Sequence, residues 1–193
     1  MSKPAASPWY QIKAAAKAAE GKTAEIFIYG NIGDTWNESD VIAATFVRDI
    51  AALDADAITL RINSFGGSVV DGLAIYNALK RHPAPVAVHV DGVAISCASY
   101  IAMAGDSITM AANAQMMIHA PWGVAVGNAA ELRDQADVLD RYAAALATGY
   151  AAKSGLSTSE VLSTLLEGAD HWYSADEAVA AGFADTVGEE ISV

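Results

Sequence analysis

Three observations predict an α/β fold in a single domain. The chain has 193 residues and is 53% hydrophobic, which suffices for one substantial core, and no linker-like stretch divides it. Short apolar runs with strand periodicity alternate with longer runs of helical periodicity. Glycine and proline residues separate these runs. Repeated strand–helix units are typical of layered α/β folds, and the periodicity is compatible with either a doubly wound sheet or a spiral.

Strands are predicted where short apolar runs end at turn residues. The first run alternates Ile26 and Ile28 with Phe27 and Tyr29 before it stops at Gly30. The others are four to six residues long, which is typical of buried strands. The predicted strands are Ala24–Tyr29, Ala57–Ile62, Val86–Val90, Ser107–Met110 and Gln115–Ile118.

Helices are predicted from capping residues and apolar periodicity. Asn37 to Asp40 offer N-cap oxygens, Pro83 and Pro85 end one helix, and Gly155 is suited to a C-cap. Two Ser-x-x-Glu patterns have the spacing of capping boxes. The longest helix has an apolar set that could line one broad face: Leu132, Val138, Leu139, Tyr142, Leu146 and Tyr150. The predicted helices run from Asn37 through Leu53, from Val69 to Arg81, from Ser96 to Ala104 and from Asn128 to about Lys153, with short helices beginning at Ser157 and Ser174.

Composition excludes several classes of function. The net charge of −12 argues against a nucleic-acid partner, because phosphate binding depends on lysine and arginine. Cys97 is the only cysteine, so an intramolecular disulfide and a thiolate metal cluster are excluded, and we expect neither metal nor cofactor. The N-terminal residues lack an uninterrupted apolar core, so we expect no signal peptide and no membrane contact. A cytoplasmic location is the corresponding expectation.

Ser96 and His119 are the candidate nucleophile and base. Ser96 lies in the run Gly92-Val-Ala-Ile-Ser96-Cys-Ala-Ser99, between a predicted strand and a predicted helix. A serine hydroxyl attacks an amide only with a base in contact, a group that orients the base, and donors for the oxyanion. A serine among alanines is by itself more often a packing residue. The prediction therefore depends on all four parts together.

His119 is the best placed of the four histidines. His82 follows two basic residues in a proline-bounded turn, His89 alternates within a strand, and His171 lies in a connection between helices. The apolar strand Met116–Ile118 instead delivers His119 to a Pro-Trp-Gly turn that can face a cleft.

Candidate oxyanion donors lie in Ser64-Phe65-Gly66-Gly67. Glycines let the backbone adopt positive φ and approach a ligand closely. The N–H groups of Gly67 and Cys97 are the predicted pair. A phosphate-binding loop is the competing interpretation, but it would need a lysine and a different spacing.

Four motifs in register carry a resemblance to a known family. They are Ile62-Asn-Ser-Phe-Gly-Gly-Ser68 with Gly72 and Ile75-Tyr76, then Gly92-x-Ala-x-Ser96, then Met117-Ile-His119-x-Pro121, then Tyr173-Ser-Ala-Asp-Glu-Ala178 with Gly182-Phe-Ala-Asp185. Over about residues 24 to 188 the chain resembles the ClpP family of serine peptidases. The resemblance implies a ClpP/crotonase-like spiral of strand-strand-helix units. It places the protease domain at residues 23–190, after an N-terminal segment 1–22 that we expect to be helical or flexible.

The resemblance also implies a role for each site residue. Ser96 corresponds to the nucleophile, His119 to the base and Asp170 to the acid that orients it, while Asp176 and Asp185 match non-catalytic positions. Gly67 and Cys97 match the oxyanion amides. A peptide substrate would add as a strand beside Gly66, next to Phe65. The family further implies a homo-oligomer, in rings with the helix from Asn128 at subunit contacts, and leaves an AAA+ unfoldase partner open.

Departures from the housekeeping pattern favour one branch of the family. Phe65 stands where housekeeping members have proline, and Cys97-Ala98 replaces methionine and glycine. These residues look more like the ClpP-type head maturation proteases of tailed bacteriophages, which process scaffold and capsid proteins inside a prohead. That interpretation would place the protein in the host cytoplasm or the prohead interior.

Other functions remain as alternatives. One is a housekeeping Clp proteolytic subunit, and another is a catalytically silent scaffolding protein with the same fold. A crotonase-type acyl-CoA enzyme would not need Ser96 and His119, and a Ser–Lys peptidase would need a suitably placed lysine. Cys97 as the reactive group is disfavoured, because a cysteine at a helix start is more often a small hydrophobe.

Overall fold

A mixed eight-stranded sheet organises the computed structural model, which describes residues 9–18, 21–33 and 42–188. The strands follow the order β1-β2-β3-β4-β5-β8, while β6 pairs with β4 and β7 pairs with β6. The α/β prediction is confirmed. The strands are β1 Tyr10–Ala18, β2 Gly21–Tyr29, β3 Ala57–Ser64, β4 Val86–Ile95, β5 Ser107–Met110, β6 Gln115–Ile118, β7 His171–Ser174 and β8 Thr186–Val187.

Six helices accompany this sheet in the part of the chain that the structure describes. The helices contribute buried side chains such as Phe46, Ile75 and Ile101 to the core. The sheet contributes alternate residues of β2, β3 and β4. Successive side chains of a strand point to opposite faces, so this alternation buries one face of the sheet. The helices are α1 Ile42–Ala51, α2 Val69–Arg81, α3 Cys97–Ala102, α4 Ala129–Ser154, α5 Thr158–Leu166 and α6 Ala175–Ala180.

β4 is longer than the sequence predicts because it pairs with two strands along one edge. Its first half pairs in parallel with β5, and Val93–Ile95 pairs in parallel with β6. The apolar pattern ends at Val90, while the hydrogen-bonded strand continues to Ile95. This second half leads directly to Ser96.

The N-terminal segment is a strand over its described part, not the helix or flexible stretch expected for residues 1–22. β1 pairs antiparallel with β2, and Trp9 and Tyr10 pack on Phe46 with ring centroids 5.8 and 5.1 Å apart. Pairing with a free sheet edge and aromatic burial override the helical propensity of an alanine-rich sequence. The predicted cap at Asn37 to Asp40 lies outside the described residues, and α1 itself begins at Ile42.

α4 packs on the domain over its C-terminal half only. A capping box joins Asn128 and Glu131 at its start, and Gly155 closes it in the left-handed conformation with φ 78°. Leu146 and Tyr150 are buried, whereas Leu132 is 44% exposed. The apolar face expected along the whole helix therefore contacts the core only near its end.

The short helices begin as the sequence predicts. Ser157 and Ser174 each accept from the backbone N–H three residues later, and the glutamate there accepts from the serine N–H, so both capping boxes form. Among the described residues, no helix is long and apolar enough to cross a membrane.

Candidate active site

Ser96 occupies the sharp turn between β4 and α3. Its backbone has φ 57° and ψ −130°, and it is the only non-glycine residue with positive φ among the described residues. Such a backbone costs about 1–3 kcal/mol and persists only where the surroundings enforce it. The Ser96 side chain does not cap α3. Its hydroxyl is therefore available to another partner.

β6 brings His119 to that hydroxyl. In the pairing of β4 with β6, Ile95 lies opposite Met117, and the Ser96 N–H donates to the Met117 carbonyl at 2.9 Å. His119 follows β6 directly, and its Nε2 lies 2.7 Å from Ser96 Oγ. The structure thus places the predicted nucleophile and base in hydrogen-bond contact.

β7 brings Asp170 to the other side of the imidazole. This strand pairs antiparallel with β6, with His171 opposite Ile118, so the residue before β7 lies beside the residue after β6. Asp170 Oδ1 is 3.2 Å from His119 Nδ1. The Asp170 side chain is 57% exposed, whereas that of His119 is only 17% exposed.

Two glycines allow the β3–α2 loop to lie against Ser96. Gly66 has φ 90° and Gly67 has φ 147°, values that residues with a Cβ rarely adopt. A Cβ on Gly66 would lie 2.8 Å from Ser96 Cβ and 3.1 Å from the Cys97 nitrogen, and one on Gly67 would collide with the Ile32 carbonyl. Ser64, which is buried, fixes the loop by accepting from the Gly66 N–H at 3.1 Å and donating to the Gly30 carbonyl at 2.5 Å.

The amides of Gly67 and Cys97 lie at this contact. A parallel β-bridge pairs Gly67 with Ile32. In it the Ile32 N–H donates to the Gly66 carbonyl at 2.8 Å, and the Ser68 N–H donates to the Ile32 carbonyl at 2.9 Å. Cys97 is the first residue of α3, so its N–H has no acceptor within the helix. In the part of the chain that the structure describes, neither amide donates to a backbone carbonyl. The Gly67 N–H contacts only the Cys97 sulfur, which is a weak acceptor. Both amides can therefore turn to an anionic oxygen, the property that an oxyanion hole requires.

The predicted substrate contacts differ in accessibility. Phe65 is 69% exposed, so its ring is open to a bound chain. Gly66 is buried, its N–H donates to Ser64 Oγ, and its carbonyl accepts from the Ile32 N–H. Backbone pairing with a peptide would therefore fall to Gly67, because the Ser68 N–H already donates to the Ile32 carbonyl and α2 begins at Val69.

Cys97 is a packing residue. Its side chain is 3% exposed and lies against Gly72 of α2, where a Cβ would be 3.1 Å from the Cys97 Cβ. Burial raises the pKa of the thiol to about 12, the Asp71 carboxylate adds to the rise, and the Gly67 N–H partly opposes it. A neutral thiol is a poor nucleophile, which disfavours Cys97 as the reactive group.

Three side chains that are alternatives to His119 and Asp170 as base or acid have other partners. His82 contacts the Leu53 carbonyl at 3.1 Å, and His171 contacts the Thr164 carbonyl at 3.0 Å. Asp185 bonds Lys153 at 2.7 Å. No group of three or more His, Cys, Asp or Glu side chains within residues 9–18, 21–33 and 42–188 could hold a metal ion.

Sequence reasoning overlooked two residues that lie behind Ser96. Ser99 Oγ is 2.6 Å from the Ser96 carbonyl and 2.8 Å from the Tyr150 hydroxyl. The spacing of Ser96 and Ser99 could have indicated the first contact, because a helical serine often bonds the carbonyl three or four residues earlier. No sequence pattern indicates the contact with Tyr150.

The fold and the site together define a class. A serine, a histidine and an aspartate in sequential contact, beside two open amides, form the arrangement of hydrolases that use a Ser-His-Asp triad. The family follows from comparison with known proteins. The family model described as "Clp protease" matches residues 11–191, and the chain belongs to that family.

Individual relatives agree with this assignment. The chain is 32% identical over 139 residues to an "ATP-dependent Clp protease proteolytic subunit" of Pleurastrum terricola, covering 71% of this chain and 70% of that protein. It is 32% identical over 154 residues to "ATP-dependent Clp protease proteolytic subunit 1" of Corynebacterium jeikeium (strain K411), covering 77% and 81%. The solved structure of a ClpP1 mutant from Listeria monocytogenes aligns with a TM-score of 0.71 and 25% identity, over 86% of this chain and 91% of that one.

The packing of Cys97 predicts an inert thiol. In the folded protein at about pH 8, iodoacetamide should leave Cys97 unmodified, because the thiol is buried and its raised pKa keeps it protonated. After unfolding in guanidinium, the same reagent should modify it fully. Mass spectrometry of the tryptic peptide measures both states. Rapid alkylation of the folded protein would contradict the packing role.

Proposed function

We propose that this chain is a serine endopeptidase that acts through Ser96, His119 and Asp170. The observation that carries the proposal is the continuous contact from Ser96 Oγ to His119 Nε2, at 2.7 Å, and from Nδ1 to Asp170, at 3.2 Å. Membership of the Clp protease family supports a peptide as substrate. The open amides of Gly67 and Cys97 supply the donors that amide hydrolysis needs.

In the acylation step, Ser96 Oγ forms a bond to the peptide carbonyl carbon while its proton moves to His119 Nε2. The carbonyl electron pair shifts to the oxygen, which accepts from the Gly67 and Cys97 amides. Collapse of this intermediate breaks the C–N bond, and His119 returns the proton to the departing amine. Asp170 accepts from Nδ1–H, which keeps Nε2 free to take the proton and stabilises the imidazolium.

In the deacylation step, water replaces the amine. His119 removes a proton from the water as the water oxygen bonds the acyl carbon. The bond to Ser96 Oγ then breaks, and His119 gives its proton to that oxygen. The products are a carboxylic acid and the regenerated serine, so the sequence of steps is complete without a cofactor or a metal.

The substrate we propose is an extended polypeptide that pairs with the backbone at Gly67, in the β3–α2 loop. Gly67 is exposed and follows Gly66, which lies against Ser96, and the exposed ring of Phe65 borders the same loop. Strand addition fixes the backbone through hydrogen bonds and leaves side-chain pockets to set specificity.

The triad predicts selective labelling by a fluorophosphonate. We expect a single adduct on Ser96, lost in Ser96→Ala, while His119→Ala and Asp170→Asn should slow labelling on the order of 10⁴-fold because the proton acceptor or its orientation is lost. Ser163→Ala, at an exposed position on α5, is the control and should label normally. Intact-protein mass spectrometry measures the adduct. Labelling that survives Ser96→Ala would refute the assignment, and a native chain that stays unlabelled would favour the silent scaffolding alternative.

For the biological setting we propose processing of phage scaffold and capsid proteins during head maturation. The residues that favour this branch are Phe65, in the loop whose Gly66 lies against Ser96, and the pair Cys97-Ala98, which follows Ser96. The housekeeping alternative, a proteolytic subunit that works with an AAA+ unfoldase, fits the names of the curated relatives equally well.

Substrate dependence distinguishes the two settings. With a phage scaffold–capsid fusion as substrate, we expect Ser96-dependent cleavage at defined sites without ATP, because prohead substrates are presented as assembled chains. A housekeeping subunit would instead degrade an unfolded model protein such as casein to short peptides once an unfoldase and ATP are added. Gel electrophoresis of the reactions, with Ser96→Ala as the control, separates these outcomes.

We further propose that the chain self-associates in rings through the exposed N-terminal half of α4, residues 129–141. Leu132 and Val138 are 44% and 39% exposed there, and Trp122, Val124 and Val126 in the preceding loop are 73%, 84% and 97% exposed. Apolar side chains so accessible, close together in sequence, are typical of a surface that another chain covers.

The self-association predicts a loss of assembly on charge insertion. Leu132→Asp with Val138→Asp should reduce the particle mass in sedimentation velocity, since buried charges at an interface are unfavourable. The far-UV circular dichroism should stay unchanged, because neither residue is packed in the domain core. Asp134→Asn, at an exposed position on the same helix, is the matched control. Unaltered particle mass in the double variant would refute this contact surface.

A further inference from the structure

We infer that Ser99 and Tyr150 are positioning residues, which hold Ser96 in its strained backbone conformation and fix its distance from His119. The inference rests on the proposed function, because it concerns the geometry of that same triad. Both residues are fully or almost fully buried, at 0% and 2% exposure. Neither touches the reacting atoms.

One hydroxyl bridges the two elements that carry the nucleophile and the base. Ser99 Oγ lies 2.6 Å from the Ser96 carbonyl and 2.9 Å from the Met117 carbonyl. Met117 is two residues before His119, and its carbonyl also accepts the Ser96 N–H. A single side chain therefore contacts the backbone of the strained residue and the backbone of β6.

Counting hydrogens assigns the direction of the bonds. Ser99 Oγ has three oxygen partners and one proton, and two of the partners are carbonyls that can only accept. If Ser99 donated to Tyr150, the phenol proton would have no acceptor among the described residues. The phenol proton has an acceptor only when Tyr150 donates to Ser99, and Ser99 then shares its single proton between the two carbonyls. Each carbonyl also accepts a backbone N–H, from Ser99 at the Ser96 carbonyl and from Ser96 at the Met117 carbonyl. Burial raises the pKa of Tyr150, so its hydroxyl keeps that proton.

The Tyr150 ring is itself fixed by the elements around the triad. It packs edge-on against Tyr100 of α3 at 5.6 Å and against Phe183 at 5.8 Å, and Phe183 packs against Tyr173 at 5.3 Å. Tyr173 lies on β7, three residues after Asp170. One tyrosine on α4 thus connects, through packed rings, to the strand that follows the acid.

The positions of Ser96 and His119 need this support because the nucleophile turn is strained. The Ser96 backbone, with φ 57° and ψ −130°, would relax if its carbonyl lost the bond from the Ser99 hydroxyl. The Ser96 hydroxyl would then move relative to His119. A shift of about 1 Å in a catalytic group costs on the order of 100-fold in rate. Substrate binding at the exposed loop would be little affected, so kcat should fall while KM stays nearly constant.

Three variants test the inference: Ser99→Ala, Tyr150→Phe and the two combined. We expect kcat per fluorophosphonate-titrated site to fall roughly 10- to 100-fold in Ser99→Ala. The fall should be smaller in Tyr150→Phe, because Ser99 still donates there. Tyr100→Phe is the control, because Tyr100 packs in the same ring cluster. Its hydroxyl has no hydrogen-bond partner among the described residues.

The combined variant distinguishes positioning from stability. Ser99→Ala orphans the buried Tyr150 hydroxyl and should lower the unfolding midpoint, whereas removing both hydroxyls should restore much of that loss. If positioning is the role, kcat stays low in the combined variant although stability recovers. Recovery of kcat together with stability, or kcat within about twofold of native in both single variants, would overturn the inference. Should Ser99→Ala not fold, Tyr150→Phe alone decides the matter by the same criterion.

A readout without turnover separates this inference from the proposed function. In ¹⁵N-histidine spectra, Tyr150→Phe should shift the Nε2 signal of His119, which contacts Ser96, and leave that of His89 unchanged. An unmoved His119 signal would overturn the positioning role even if the native chain showed no peptidase activity. If the signal shifts in Tyr150→Phe while the native chain never labels at Ser96, the proposed function alone would be overturned.

Discussion

The parallel pairing of β6 with the second half of β4 is the constraint on which the site depends. It places Met117 opposite Ile95, so the residues just beyond the two strands, His119 and Ser96, meet. β7 then pairs with β6 and adds Asp170. Three side chains far apart in the sequence thus occupy one edge because β4 and β6 end there and β7 begins there. A shift of one residue in either pairing would turn the side chains to opposite faces of the sheet.

Local features of the site were predictable from the sequence because they depend on neighbouring residues. Ser157 and Ser174 begin helices through contacts with residues only three positions further along the chain. The apolar pattern also defines the bounds of the strand before His119. The contact of His119 with Asp170 depends on an antiparallel register between segments 51 residues apart, which no periodicity encodes. The family resemblance supplied it, and the roles of these residues stay predictions until they are tested.

The strands that sequence analysis missed share one physical reason. β1, β7 and β8 lack a distinctive apolar alternation, and each exists because a partner strand offers unpaired backbone groups. Alanine-rich β1 shows this most clearly, since its residues favour helices in isolation. Pairing with the edge of β2 and the burial of Trp9 decide its conformation instead. The contact of Ser99 with Tyr150 escaped prediction for the same reason, because it joins residues 51 positions apart.

The exposed N-terminal half of α4 has a consequence for the entropy of any contact made there. An isolated helix of about a dozen residues is marginal in water because its first turn is costly to nucleate. In α4, the turns around Leu146 and Tyr150 are packed in the core and serve as the nucleus, so the outer turns need only propagate from it. The capping box at Asn128 limits fraying at the far end. A second chain would therefore meet an ordered rod, and little conformational entropy would be lost on contact.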